Sequence, residues 1–143
     1  EKLGVYLEGT LLKPSMTCCG AECPEKVTPR DVAYKTIDVM LRSVPEEVAG
    51  IVFLSGGLSE EAASIYLSEM NKTVNVTPWT VSFSYGRALQ HSCLKAWAGS
   101  NIPAGQAALL ARAQANSEAS RGIYVPNSQP SSDEKLFVAG YTY

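Results

Sequence analysis

The sequence has no long apolar segment, no block of like charge and only one histidine, His91. No apolar run among its 143 residues approaches the ~20 residues that span a membrane. The formal net charge is −2, and charged residues make up 18% of the chain. We therefore expect neither a membrane protein nor a protein that binds nucleic acid or an anionic surface through a basic patch.

Motifs with strict spacing for nucleotides or zinc are also missing. Neither G-x-G-x-x-G nor G-x-x-x-x-G-K-[ST] occurs, which argues against a nucleotide-binding α/β domain. Cys18, Cys19, Cys23 and Cys93 lack the paired C-x-x-C spacing of a structural zinc site, and adjacent cysteines strain a mutual disulfide. We interpret them as reduced thiols in a cytosolic-type compartment, with a metal or redox site as the alternative.

Hydrophobic periodicity and turn residues predict alternating strands and helices. Apolar residues make up 45% of the chain, which supports a folded core. We expect strands at 4–9, 50–54 and 79–84, and helices at 28–44, 59–70, 88–97 and 103–120. Leu109, Leu110 and Ala113 are expected on one side of the last helix. This order is typical of right-handed βαβ units with a parallel sheet.

Three short segments follow the predicted strands, at the sheet edge where α/β proteins gather their chemistry. The first, 10–14, contains Lys13, which has no counter-ion nearby in sequence. If Lys13 points inward, desolvation disfavours its charged form, and a neutral lysine can form a Schiff base with a carbonyl. The alternative is an ordinary surface lysine on a loop.

The other two segments carry glycine and hydrogen-bond donors. Ser55, Gly56 and Gly57 separate a buried strand from a helix, so backbone N–H groups and a helix dipole can face an anion. Gly86 and Arg87 repeat this arrangement one unit later, and the guanidinium suits phosphate. Each segment alone also fits a plain turn or a solvated arginine, but together they predict a phosphate pocket beside the lysine loop.

At these residues the sequence resembles class I fructose-bisphosphate aldolases. The matching stretches are LEGTLLKP at 7–14, FLSGGLSE at 53–60, FSYGRALQ at 83–90, LKAW at 94–97 and ANS at 115–117, with a terminal Tyr143. By the resemblance the fold is α/β, the C-terminal part of a (β/α)₈ TIM barrel, about three βα units plus C-terminal helices. It implies that residues 1–121 form the C-terminal portion of the barrel and that residues 122–143 form a flexible C-terminal tail.

The resemblance also implies roles for individual residues. It assigns the Schiff base to Lys13 and proton transfer to Tyr143. Four residues match the sugar-phosphate pocket and four more line it: Ser55, Gly56, Gly86 and Arg87, then Leu54, Gly57, Ser84 and Tyr85. The family's second lysine, its aspartate and its acid/base glutamate are expected upstream of Glu1.

The implied reaction is the reversible cleavage of fructose 1,6-bisphosphate to dihydroxyacetone phosphate and glyceraldehyde 3-phosphate, without a metal or organic cofactor. The resemblance further implies a homotetramer, possible cytoskeletal binding and a cytoplasmic location. Where the family usually has Asn and a Val-Thr-Pro-Gly run, this chain has Ser15 and a cysteine-bearing loop, and the run at 20–23 leans toward plastid-type relatives. The alternative is a catalytically incomplete fragment that serves as an interaction or antigenic module.

Overall fold

A three-stranded parallel sheet with helices between its strands forms the frame of the chain. The computed structural model describes residues 3–20, 23–25, 27–72, 77–138 and 140. The elements in chain order are β1 (Leu11–Leu12), α1 (Pro29–Ser43), β2 (Gly50–Phe53), α2 (Glu60–Lys72), β3 (Thr80–Phe83), α3 (Arg87–Trp97) and α4 (Ile102–Ala119). The sheet order is β1-β2-β3, and both pairings are parallel. The predicted alternation and the parallel sheet are confirmed.

The first strand begins later than the sequence predicts. Residues Leu7–Gly9 form a 3-10 turn, and only Leu11–Leu12 pair with β2. The prediction of a strand over 4–9 is wrong because local hydrogen bonds hold this segment in a turn: the Thr10 N–H donates to the Leu7 carbonyl at 2.9 Å, and the Thr10 hydroxyl donates to the Tyr6 carbonyl at 2.9 Å. Strand β1 therefore ends just before Lys13, so Lys13 lies in the segment that follows the strand.

Helix α1 begins and ends within one residue of the predicted bounds 28–44. The Thr28 side chain accepts from the Asp31 N–H while the Asp31 carboxylate accepts from the Thr28 N–H, which is a reciprocal capping box. Pro29 occupies the first turn, and Pro45 follows the last. These bonds hold the pKa of Asp31 below its ordinary value.

The core lies around β2 and the helix that follows it. Ile51, Phe53, Leu67 and Met70 have no exposed surface. Short apolar runs such as 50–53 suit strands covered by helices, because parallel strands are joined by crossover helices. Leu11 on β1 is 62% exposed, and β1 and β3 are the edge strands of the described sheet.

Helix α4 exposes the side on which Leu109 and Leu110 lie. Leu109 is 39% and Leu110 is 70% exposed, while the side that faces the protein contains Gly105, Arg112, Ala115, Asn116 and Ala119. Small residues let α4 approach α3 closely; a Cβ on Gly105 would lie 2.9 Å from the Trp97 Cβ. The apolar side of α4 is therefore on the surface of this chain.

None of the helices in the described ranges is both long enough and apolar enough to cross a membrane.

Candidate functional site

The three predicted segments lie together at the carboxyl edge of the sheet. The Leu54 N–H donates to the Pro14 carbonyl at 3.0 Å, which joins the segment after β1 to the segment after β2. The Ser84 N–H donates to the Phe53 carbonyl at 2.9 Å, and the Ala88 N–H approaches the Ser55 hydroxyl at 3.5 Å. The fold thus brings the lysine, serine–glycine and glycine–arginine segments to one edge.

Lys13 stands at this edge but is exposed. It directly follows β1, and its neighbour Pro14 contacts the backbone of Leu54. The described residues do not enclose its amine in the apolar surroundings that the sequence argument invoked. Lys13 lies at the end of a strand, as predicted, but the described residues leave its side chain exposed to solvent.

The segment after β2 is a tight turn that presents backbone N–H groups. Ser55 is buried, and Gly56 and Gly57 have φ values of +50° and +93°, which residues with a side chain rarely adopt. The Leu58 N–H closes the turn on the Ser55 carbonyl at 2.9 Å. Ser59 then caps α2 by accepting from the Ala62 N–H at 3.1 Å. This turn and the start of α2 lie where the sequence predicts an anion-binding site.

The segment after β3 contributes Gly86 and Arg87 at the start of α3. Gly86 is exposed at the N-cap, and Arg87 is half-buried in the first turn. Arg87 Nη1 donates to the carbonyl of Leu136. A guanidinium at a helix start, beside a glycine turn, is suited to hold phosphate.

The residues predicted to line the pocket divide into two groups. Leu54 and Ser84 are half-buried between the two turns. Tyr85 instead points into the core, where its hydroxyl donates to the Ala63 carbonyl at 3.0 Å and burial strongly raises its pKa. Its backbone joins β3 to the glycine–arginine turn, so its contribution to the site is positional. Tyr143 lies outside the described residues.

The C-terminal segment runs across the predicted phosphate pocket. The Leu136 N–H donates to the Gly57 carbonyl at 3.0 Å, and a Cβ on Gly57 would lie 3.0 Å from the Phe137 Cα. A pocket of about 330 Å³ lies between α3 and this segment. Glu134 pairs with His91 at 3.2 Å and with Lys95 at 3.7 Å. His91 therefore contacts the C-terminal segment.

A buried charged network, which the sequence did not reveal, fastens the rest of this segment. Glu61 accepts hydrogen bonds from the Tyr124 hydroxyl at 2.8 and 3.0 Å, the Asn127 N–H at 2.8 Å and the Ser131 hydroxyl at 2.8 Å. Glu60 accepts from the Ser132 N–H at 3.0 Å and the Ser92 N–H at 2.9 Å.

Arg112 completes this network from α4. It has no exposed surface, and its Nη2 donates to the Glu60 carbonyl at 2.8 Å and to the Ser64 hydroxyl. Its Nη1 lies 3.9 Å from Glu61. Burial and the hydrogen bond to Glu61 raise the pKa of Tyr124 to about 12. The sequence offered no signal for Arg112, because the contact joins residues 52 positions apart.

Comparison with known proteins agrees with this geometry. The family model "Fructose-bisphosphate aldolase class-I" matches residues 1–143. Fructose-bisphosphate aldolase B of Gallus gallus is 53% identical over 97% of this chain, and fructose-bisphosphate aldolase of Drosophila melanogaster is 50% identical over 97%. The parallel sheet, the turns at its carboxyl edge and these matches define one class: the chain belongs to the class I fructose-bisphosphate aldolases.

A solved structure supports the fold assignment. Fructose-bisphosphate aldolase of Plasmodium falciparum, crystallised with TRAP and a small-molecule inhibitor, superposes with a TM-score of 0.83 at 48% identity. The match covers 87% of this chain and 36% of that one. The chain also spans 39% of the length of the chicken and fly aldolases. It is thus a partial (β/α)₈ barrel, as predicted.

Proposed function

We propose that this chain is the Schiff-base and phosphate-binding portion of an enzyme that reversibly cleaves fructose 1,6-bisphosphate to dihydroxyacetone phosphate and glyceraldehyde 3-phosphate. One observation supports the proposal: the segments that contain Lys13, Ser55 and Arg87 lie side by side at one edge of the sheet. Hydrogen bonds between Pro14 and Leu54 and between Ser55 and Ala88 join them. Family membership supports the substrate class.

Lys13 supplies the covalent step in this proposal. Its neutral amine attacks the ketone carbon of the sugar, and the resulting carbinolamine takes up one proton, loses water and becomes a protonated imine. A carboxylate, expected from the family resemblance, removes the proton from the hydroxyl of the β carbon. The bond between the α and β carbons then breaks, and the protonated imine takes up its electrons and becomes an enamine. Because Lys13 is exposed in the described chain, the proposal assigns the covering of its amine to other parts of the full-length enzyme.

The two turns hold the phosphate next to the ketone. The Ser55 hydroxyl, the N–H groups at Gly56 and Gly57 and the Arg87 guanidinium offer donors from two adjacent strand ends. Fixing the phosphate aligns the ketone with Lys13, so binding energy is used to orient the reaction. A phosphate here competes with the Leu136 carbonyl for Arg87. Tyr143, by the family resemblance, protonates the product enamine.

Borohydride trapping tests the lysine directly. The full-length protein is incubated with dihydroxyacetone phosphate and borohydride, digested with trypsin and examined by mass spectrometry. We expect the reduced adduct on the peptide spanning 3–26, because Pro14 blocks cleavage after Lys13. K13R should abolish the adduct, and K35R, which changes an exposed lysine on α1, should not. An adduct on a peptide without Lys13 would overturn the proposal.

The family resemblance also bears on the oligomeric state, the location and the partners of the protein. We propose a homotetramer in the cytoplasm, with the plastid as the alternative location and cytoskeletal proteins as possible partners. Sedimentation of the full-length protein tests the tetramer. The alternative of a non-catalytic interaction module is not favoured by the matches to aldolases.

A further inference from the structure

Glu60 is a buried carboxylate that takes no part in the proposed reaction. It is the first residue of α2, lies five residues after Ser55 and has no exposed surface. A buried carboxylate requires hydrogen-bond donors, because burial without them is costly. The donors that Glu60 takes therefore show which elements it holds together.

These donors come from two other parts of the chain. The Ser92 N–H on α3 donates to Glu60 Oε1 at 2.9 Å, and the Ser92 hydroxyl donates to Glu60 Oε2. The Ser132 N–H of the C-terminal segment also donates to Glu60 Oε2, at 3.0 Å. One carboxylate thus joins the start of α2 to α3 and to the C-terminal segment.

The contact with α3 lies about one helical turn from the proposed phosphate donors. Arg87 and Ala88 open α3, and Ser92 follows Ala88 by four residues. The Ala88 N–H approaches the Ser55 hydroxyl at 3.5 Å, which is a long hydrogen bond. The bond from the Ser92 N–H, at 2.9 Å to a carboxylate, is shorter and stronger. Glu60 therefore contributes more than Ser55 does to holding the start of α3 against α2.

Only a carboxylate can keep both of the backbone contacts. Each oxygen of Glu60 accepts from one backbone N–H, that of Ser92 on Oε1 and that of Ser132 on Oε2. A backbone N–H can only donate, and a carboxamide has one oxygen and one NH₂ group. In either orientation, a carboxamide of the same shape would turn its NH₂ group toward one of these two N–H groups.

Glu61, the next residue, has partners that tolerate the same change. It is 4% exposed, and the one backbone N–H that it accepts, from Asn127, donates to Oε1 at 2.8 Å. Oε2 accepts from the hydroxyls of Tyr124 and Ser131, both at 2.8 Å. A hydroxyl can also accept, so an NH₂ group in place of Oε2 can still find partners. All three residues lie in the C-terminal segment rather than on α3.

We propose that Glu60 is a positioning residue for the sugar-phosphate site. By holding α3 to α2, it sets the distance between the donors of the Ser55 turn and Arg87, and it acts through α3 without contacting the phosphate. The inference rests on the proposed function, because it treats the two turns as one phosphate site. The covalent step uses Lys13 on another segment, so loss of Glu60 should affect KM more than kcat.

Matched variants of the two glutamates test the proposal in the full-length protein. KM and kcat are measured with fructose 1,6-bisphosphate, and the Kd of inorganic phosphate is measured by isothermal titration calorimetry. We expect E60Q to raise KM and the phosphate Kd at least about tenfold, because one buried backbone N–H then faces another donor. Its kcat should fall less than about threefold. E61Q should lower stability through its contact with Arg112 but change KM and Kd less than about twofold.

A milder variant keeps the test valid if E60Q does not fold. S92A retains the backbone N–H of residue 92 and removes only the hydroxyl that donates to Glu60. Alanine favours helices, so α3 should persist. We expect KM and the phosphate Kd to rise about two- to fivefold in S92A. Circular dichroism and urea unfolding check that each variant is folded.

The two measurements distinguish this inference from the proposed function. If E60Q and S92A bind phosphate as tightly as the unmodified protein, Glu60 is not a positioning residue. Equal increases of KM in E60Q and E61Q would also overturn the inference, because they would show a general effect of stability. If the unmodified protein binds phosphate but cleaves no sugar, and E60Q weakens that binding, the proposed function fails and the positioning role stands. An unmodified protein that binds no phosphate overturns both.

Discussion

The C-terminal segment and the cysteine-bearing loop after Pro14 both lack helix and strand in their described residues but are held in very different ways. Between Tyr124 and Ser132, the C-terminal segment donates four different groups to the buried carboxylates of Glu60 and Glu61. Among the described residues 15–20, Met16 is buried and the Thr17 N–H donates one hydrogen bond to the Thr36 hydroxyl. Whether an irregular segment is ordered therefore depends on the groups that it contacts. A buried charge requires hydrogen-bond partners, and the composition of the segment does not show whether it will supply them.

The largest effect is expected from Arg112. R112M removes the guanidinium that contacts the Glu60 carbonyl and Ser64 and leaves the buried Glu61 carboxylate without its nearest cation. We expect the full-length protein to lose about 3–5 kcal/mol of unfolding free energy, since a buried charge without its partner is costly. Urea unfolding measures this change.

Arg121 is the matched control for that change. It is exposed just after α4, and R121M should change the unfolding free energy by less than about 0.5 kcal/mol. Equal effects of the two variants would show that the buried network does not hold the C-terminal segment.

A smaller effect is expected from the hydroxyl of Tyr124. Y124F keeps the buried ring but removes the donor to Glu61, at a cost of about 1–3 kcal/mol. Limited proteolysis should also cut the segment at 124–132 faster. Y34F, at a tyrosine that is 73% exposed, should leave both measurements unchanged.

Alkaline pH should release the same contact. The pKa of Tyr124 is raised from 10.0 to about 12, so its stabilising contribution is complete below pH 10 and is lost as pH rises through 12. The tyrosinate absorbance of the full-length protein, compared with that of Y124F, should show one tyrosine titrating near pH 12. A difference spectrum centred near pH 10 would contradict the buried contact.

The smallest effect is expected in the cysteine loop. T36V removes the acceptor of the Thr17 N–H and should cost about 1 kcal/mol. Hydrogen exchange should accelerate at Thr17 but not at Leu54, whose N–H bonds to Pro14. If exchange at Leu54 accelerates equally, the loop and the lysine segment are coupled more tightly than the anchor suggests.

The sequence predicted features that depend on neighbours in the chain. Thr28, Pro29 and Asp31 fixed the start of α1 because their bonds lie within one turn. The apolar run at 50–53 predicted a buried strand for the same reason. The first strand was misplaced because a local turn at Leu7–Gly9 competes with pairing to β2.

In the candidate site, too, some features depend on neighbours in the chain and others on distant segments. The glycine turns and Arg87 were predicted at strand ends, and parallel topology then placed them at one edge. The inward direction of Tyr85 and the exposure of Lys13 were not predictable, because each depends on which distant segments cover the strand end. The flexibility of the C-terminal tail over 122–143 stays a prediction. Within that tail, Tyr124 and Leu136 are buried.

By itself, the sequence determined the alternation of strands and helices, the turns with positive φ and the family to which the chain belongs. The alternation and the turns follow from periodic burial and backbone stereochemistry, which are local, and the family follows from the resemblance of the motifs. Tertiary structure alone decided that two adjacent glutamates and an arginine 52 residues away from the first of them would fasten the C-terminal segment beside the proposed phosphate pocket. Buried charges find their partners in space, and distance along the chain carries no information about that pairing.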